Sequence, residues 1–436
     1  MSCTYKKRKK SVNYPFSNFS KKMSDKELQK IQDLQFTNIQ IANDLLKKFL
    51  NANLPFKVTG VQIRPLAVSL NSLNGFLCTE GGQRLFFKTH VEPKSIINEY
   101  YNSGILAESG YPVIQPVYTS TEWGKQLLIY EWIDEPSLFD IVREVELSET
   151  NDINSLISIQ KKADDELLNI YLKTLRYSSA SEDKDAPIHQ LFSHRLTAGR
   201  FTNFYTDKEI YLPGHKIRFE QLSKLKWVIN GVPFDDTISD LVQQAIAVLE
   251  PGKMDIPTII GHGDAHNGNI FIDRVNQSLI YFDPAFAGRH SPFLDLAKPL
   301  FHNVFAAWMY YPQEIVSTLL IKLDIQEDKV ILDHNFTPSA VRVEFLRSKL
   351  QRVLTPLLDE LDVRGLSLSN WRKYLKLALF CCPFLTRNLI DPEIFPPEIT
   401  LLGLAMSIEM GSTSPENNKS FIDSELNLAA YTKQYL

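Results

Sequence analysis

Apolar residues recur at a helical period through Leu28, Ile31, Leu34, Ile39, Leu45 and Phe49, among good helix formers, and predict a helix from Asp25 to Leu50 that Pro55 closes off. The pattern then shortens. Val61–Val68, Gly75–Thr79 and Arg84–Thr89 read as three strands. Pro65 marks the first as an edge or a bulge, and Gly81-Gly82 is the turn between the second and third. Ser95–Leu106 returns to a helical period with Ile96, Ile97, Tyr100 and Ile105 near one face, and Ile114–Thr119 and Gln126–Ile133 follow as strands around a turn at Gly124. After Ile133 the pattern is mostly helical. Ile153–Tyr177 and Thr237–Leu249 are helices, Ser178–Pro187 a polar loop, and Phe201–Asn230 irregular and aromatic. Three short strands interrupt it at Thr258–Gly261, Ile270–Asp273 and Leu279–Phe282. Beyond Pro292 helices are expected almost to the end, with breaks near Pro312, Asn335, Ser367 and Pro396.

Strands gathered in front of helices predict an α+β fold. Its expected parts are a basic tail at 1–24, a strand-rich part at 25–133 with a five-stranded sheet and a helix, and a helical part at 134–436. Within the last lie a loop at 260–284 and an extra segment at about 142–255.

Composition narrows the function classes. The chain has 436 residues, 44% hydrophobic and 22% charged, which is ordinary for a globular protein. Its formal charge of −4 argues against a dedicated nucleic-acid binder. No apolar run approaches the roughly 18–20 residues that span a bilayer. Four cysteines, two of them the adjacent Cys381 and Cys382, do not make a secreted disulfide framework, so a reducing, cytoplasmic setting is expected. The first 24 residues hold Lys6, Lys7, Arg8, Lys9, Lys10, Lys21 and Lys22 and no acid, and read as a solvated arm.

The chemistry concentrates in Ile260-Gly-His-Gly-Asp-Ala-His-Asn-Gly-Asn-Ile-Phe271 and in the apolar strand Leu279–Phe282 that ends on Asp283. Loop, strand, turn and strand return Asp283 to the side of Asn269. A carboxylate and an amide oxygen are hard ligands suited to Mg²⁺, which keeps substrate phosphates among its ligands. Asp264 is left to accept a proton from an attacking hydroxyl. The same division between a base, an amide ligand five residues on and a second acidic ligand operates in kinases.

His262-Gly-Asp-x-His266-x-x-Asn269 followed by a strand ending in Asp283 resembles the signature of the aminoglycoside phosphotransferase and choline kinase-like family, and Pro292-x-x-Asp295-Leu-Ala resembles its continuation. The resemblance implies a bilobal protein-kinase-like fold and transfer of the ATP γ-phosphoryl group to a small-molecule hydroxyl. Asp264 is then the base and His262 the residue that orients the catalytic loop. Asn269 and Asp283 are the Mg²⁺ ligands, and Asp295 is structural. On the nucleotide side it implies Lys88 on the third strand for the phosphates and Glu99 on the next helix to hold Lys88. Ser72 falls in the phosphate-covering interval 69–75, which lacks a Gly-x-Gly-x-x-Gly, and Glu131 and Ile133 fall at the adenine edge. Alternatives are a protein kinase, disfavoured by the lack of His-Arg-Asp and Asp-Phe-Gly, a non-catalytic nucleotide-binding protein of the same fold, and a metal hydrolase using the two histidines. The acceptor is not legible. Asp134, Glu135 and Asp140 are acidic near the hinge, Asp235 and Asp236 are expected to cap a helix, and Trp308, Tyr310, Tyr311 and Trp371 line a pocket or belong to the core.

Overall fold

The computed structural model describes residues 26–64, 72–90, 95–120, 122, 125–148 and 153–431. The chain forms two compact units with an α+β fold, one of Met1–Pro93 with Ser120–Leu127 and one of Lys94–Thr119 with Leu128–Leu436.

In the first unit the expected single N-terminal helix is two, Lys26–Thr37 and Ile39–Asn53. Asn38 breaks it: the residue leaves helical geometry, and its side-chain oxygen accepts from the Ile41 amide at 3.2 Å, which is N-cap chemistry. The second helix buries a stripe of Ala42, Leu46, Phe49 and Leu50. Val58–Ile63, Ser72–Thr79 and Arg84–His90 pair antiparallel, with Asn74 opposite Lys88. The first strand ends at Ile63, short of the expected Val68; residues 65–71 lie outside the described residues. Gly75 is required where two strands approach closely, since a Cβ there would stand 2.1 Å from the Gln62 carbonyl oxygen.

The second unit is mainly helical. Its centre is the helix Trp371–Thr386, buried on every face from Tyr374 to Leu385. Such a helix needs neighbours all round, and Ile238–Val248, Pro292–His302 and Pro397–Gly411 supply them.

Several expectations are corrected here. Ser178–Pro187 is not a plain loop: Ala180–Asp183 is helical behind a Ser179/Glu182 capping box, and Asp183 is buried beside His189. Phe201–Asn230 is ordered into the helix Arg200–Tyr205 and the hairpin Glu209–Leu212 with His215–Arg218. The region beyond Pro292 is not helical throughout. Ile321–Ile325 and Lys329–His334 form a hairpin, and the latter pairs parallel with Lys226–Ile229 in a four-stranded sheet. Asp235 and Asp236 do not cap the next helix. Thr237 does, with Asp240 closing the box, while Asp236 accepts from Ser412 Oγ at 2.8 Å. Trp308 is core, fully buried, and Trp371 stacks on Phe293. Cys381 and Cys382 are free thiols in the core. No helix among the described residues is long and apolar enough to cross a membrane.

A buried ion pair ties two helices of this core together. Lys376 is 1% exposed and its Nζ donates to Asp423 at 2.8 Å; Arg372 donates to the same carboxylate at 2.9 Å, and the Ser414 amide and hydroxyl at 2.8 and 2.7 Å. Burial works against the charge of Asp423, but Lys376 and the bonds from Ser414 outweigh it and bring the carboxyl down to about 2. Because the folded value lies below the unfolded value of about 3.9, this stabilisation is present above pH ~4 and is lost as pH falls through about 2. Asp423→Ala strands a buried ammonium and is expected to cost ~3–5 kcal/mol in a urea titration at pH 7; a loss under ~1 kcal/mol would show that the pair does not tie the two helices together.

Candidate active site

The site begins on the buried strand Ile256–Gly261, held between the strands Arg176–Ser178 and Gly288–His290. Two glycines let the chain leave it. At Gly261 a Cβ would meet the His290 ring and the Asp295 carboxylate at 2.5 and 2.6 Å. Gly263 has φ +81°, and a Cβ there would lie 2.4 Å from the Phe286 carbonyl oxygen. The Gly263 amide donates to Asp295 Oδ1 at 2.6 Å. Asp295, in the first turn of the helix Pro292–His302, also accepts from His290 Nε2 at 2.9 Å and from the Tyr171 hydroxyl. Burial pushes this carboxyl up, yet those donors outweigh it and hold it below the usual range. Its expected structural role stands.

His262 is fully buried between two segments. Its Nε2 faces the Phe282 carbonyl at 2.9 Å and so carries the proton. Its Nδ1 accepts from the Asp264 amide at 3.4 Å. Burial keeps the ring's pKa below the usual value despite nearby carboxylates, so it is neutral. It positions the loop, with its Nε2 proton held by the Phe282 carbonyl. His266, whose role the sequence left open, caps the short turn Asn267–Asn269: its Nδ1 accepts from the Gly268 amide at 3.1 Å.

Asn269 Nδ2 donates to the Asp264 backbone carbonyl at 3.0 Å, which leaves Oδ1 as the end of the amide open to a ligand. Asn269 then starts the hairpin of Ile270–Asp273 and Ser278–Tyr281, whose register sets Ile270 opposite Tyr281 and closes with Phe282 N on the Asn269 carbonyl at 2.9 Å. Asp283 is the next residue, at φ +55°, a left-handed conformation that Asp tolerates better than most side chains. Tyr130 is buried and packs edge-on against Phe282, their rings 5.2 Å apart, so Tyr130 is core that supports the hairpin end.

Asp264 is partly buried. Burial raises its carboxyl, but Lys298, then His266 and Arg195, bring it below the usual range and keep it ionised. Lys298 Nζ stands 3.5 Å from Oδ1 and His266 Nε2 3.9 Å from Oδ2, and Oδ1 has no hydrogen-bond partner.

The second unit thus brings Asp264, His262, Asn269 and Asp283 to one loop and hairpin. Glu131, exposed, ends the strand Leu127–Glu131, and Ile133 follows it partly buried. In the first unit, Lys88 is 9% exposed on the strand Arg84–His90 and Ser72 begins the strand Ser72–Thr79. Glu99 lies on the helix Ser95–Ser109, but its side chain and that of Ser72 fall outside the described residues. Sequence reasoning missed Lys298 and Arg195. The signal for Lys298 was available: a lone lysine among Phe293, Leu294, Leu296, Ala297, Leu300 and Phe301 needs a buried partner. Asn269 and Asp283 are a two-oxygen donor set. Their hard oxygens fit Mg²⁺ completed by phosphates better than zinc.

Gly263→Ala is expected to cost on the order of 2 kcal/mol or more, because it adds both a left-handed strain and a backbone clash. A denaturation midpoint unchanged from wild type would show that the loop relaxes freely.

No family model and no curated protein matches the chain. Among solved structures it is similar to a type I macrolide 2'-phosphotransferase (10% identity, 85% of this chain and 97% of that one, TM-score 0.41). It is also similar to a spectinomycin phosphotransferase solved with ADP and spectinomycin (14%, 84% and 98%, 0.39). A thermostable mutant of an aminoglycoside phosphotransferase is a third such structure (10%, 84% and 98%, 0.43).

Proposed function

We propose that this protein transfers the γ-phosphoryl group of ATP to a hydroxyl of a small molecule. The observation that carries the reading is the bond from Asn269 Nδ2 to the Asp264 carbonyl. It fixes a hard amide oxygen beside an ionised carboxylate, at the base of a hairpin that ends in a second carboxylate. That is the base-and-metal division that phosphoryl transfer requires.

In this reading Asn269 Oδ1 and Asp283 hold Mg²⁺, which when bound neutralises phosphate charge. Asp264 orients the acceptor hydroxyl and takes its proton. The acceptor oxygen bonds to the γ-phosphorus as the bond from that phosphorus to the β–γ bridging oxygen breaks, and ADP leaves. A carboxylate held below the usual pKa is a weak base. It suits a loose transition state, where the phosphorus draws electron density late and the proton moves late. His262 keeps the Asp264 amide and the Phe282 carbonyl in register. Lys88 is assigned to the α- and β-phosphate oxygens, and Glu99 and Ser72 to the nucleotide side, by the sequence resemblance. The backbone at Glu131 and Ile133 receives the adenine.

Asp264→Asn is expected to lower turnover by ~10²–10⁴-fold while Mg·ATP still binds. Wild-type rates from that variant in a coupled ADP-release assay would remove Asp264 as the base. Asp283→Ala is expected to weaken Mg·ATP binding itself, read as the loss of the Mg²⁺-dependent part of the ATP thermal shift. An unchanged shift would remove Asp283 as a ligand.

A further inference from the structure

The surroundings of Asp264 are cationic. Lys298 Nζ lies 3.5 Å from its carboxylate and 3.2 Å from His302 Nε2. His302 Nδ1 faces the Tyr310 hydroxyl at 2.9 Å, and His302 Nε2 lies 3.5 Å from Thr386 Oγ1. Arg195 Nη1 reaches the same Thr386 hydroxyl at 3.4 Å, and the Arg387 guanidinium lies 5.7 Å from the Tyr310 ring centre with Nη1 on the Met309 carbonyl at 3.2 Å. Two cationic heads, Lys298 and Arg195, therefore act on one carboxylate, and Arg387 lies beyond them at the Tyr310 ring. Among the described residues neither Arg195 nor Arg387 forms an ion pair, and Lys298 pairs only with Asp264. Both arginines are partly buried, and Arg387 meets the Met309 carbonyl and the Tyr310 ring face and no carboxylate among the described residues.

Holding a recessed guanidinium without a counter-charge costs stability unless something arrives to meet it. Burial, then Arg200, push Arg195 down to about 10, so it remains charged at neutral pH. His302 is held neutral by burial and by Lys298, and burial likewise lowers the pKa of His266. The carboxylates that would favour a cationic acceptor are engaged elsewhere. Asp134 accepts from Trp132 Nε1, Glu135 pairs with Arg274 at 3.4 Å, and Asp140 accepts from Ser137 Oγ at 2.6 Å.

We propose that the acceptor is an alcohol bearing an anionic group, a phosphate ester or a carboxylate, which seats against Arg195 and Arg387 while its hydroxyl meets Asp264. This rests on the phosphotransferase reading above and specifies its substrate class. The cluster gives planar forks for a tetrahedral or planar anion. Lys298 separates that anion from the Asp264 carboxylate, so that the two do not repel across the site.

The test uses the full chain. Turnover is measured with glycerol 3-phosphate and glycerate as anionic probes, glycerol as the neutral one and choline as the cationic one. An anionic probe is expected to exceed glycerol and choline by at least tenfold in kcat/KM; comparing the first two decides between phosphate and carboxylate. Arg195→Gln is expected to raise KM for the anionic probe about tenfold or more while KM for glycerol changes far less and the KM of Mg·ATP stays nearly unchanged. Should that variant fail to fold, Arg387→Gln is read the same way. Calorimetry with the anionic probe is repeated under saturating Mg·AMP-PNP. Retained binding supports an acceptor site, whereas displacement assigns the cations to the γ-phosphate and overturns the proposal. Preference for choline, or an unaltered KM in both variants, also overturns it. If Mg·ATP produces no thermal shift at all, the underlying phosphotransferase reading fails and the acceptor proposal falls with it, an outcome distinct from ATP binding without anion preference.

Discussion

The carboxylate of Asp295 lies where water does not reach, 2% exposed, and three parts of the chain depend on it. The Gly263 amide, the His290 imidazole and the Tyr171 hydroxyl all donate to it. They come from the Asp264 loop, from the strand Gly288–His290 and from the helix Ile153–Thr174. A buried acceptor with several donors is fixed in direction by all of them at once, and it fixes them in turn. That is why a loop with two glycines can still hold Asp264 in one place. The flexibility the glycines give is used up by close approach, and the Gly263 amide, which would otherwise be an unsatisfied buried donor, has a charged partner.

The protein treats its buried carboxylates in two ways. Asp423 and Asp164 are saturated. The second of these accepts from Gln160 Nε2 at 2.9 Å, Ser348 Oγ at 2.7 Å and Lys349. Asp264 is left incomplete: its Oδ1 has no hydrogen bond, and its ammonium neighbour stands 3.5 Å off. Saturated carboxylates hold elements together. Asp264 is instead kept ionised by the charges around it.

What the sequence revealed was local. Gly261-His-Gly-Asp264 and the hairpin to Asp283 could be read because their geometry is set by neighbours within the loop and by a two-residue strand period. The hairpin Ile321–Ile325 with Lys329–His334 was hidden among helices, although Ile321, Leu323 and Ile325 alternate with polar residues in the strand manner. Asp236 was misassigned because an acid before a helix satisfies the same pattern whether it caps that helix or, as here, receives a hydroxyl from Ser412. Asn38 splits the first helix because its side chain offers the backbone a local alternative that periodicity cannot register. Arg195 could not be found at all. Its neighbours Thr386 and Asp264 lie far along the chain, and only tertiary packing unites them.

That packing also holds the helix next to Arg195. The helix Arg200–Tyr205 is pinned to the end of the helix Trp371–Thr386. Tyr205 stacks on Phe384 with ring centres 4.4 Å apart and planes 2° from parallel, its hydroxyl donates to the Phe384 carbonyl at 2.7 Å, and Arg200 reaches the Leu385 carbonyl at 3.2 Å. This clamp sits between the short helix Ser193–Thr197, which carries Arg195, and the Thr386 hydroxyl that Arg195 meets. The extra segment at about 142–255 therefore does two things: through Arg195 it brings a cation to Thr386, and through Tyr171 it donates to the Asp295 carboxylate that holds the Asp264 loop. The loop is fixed by buried hydrogen bonds and the helix beside Arg195 by aromatic stacking, yet both draw on the same segment, so their substitutions are not independent.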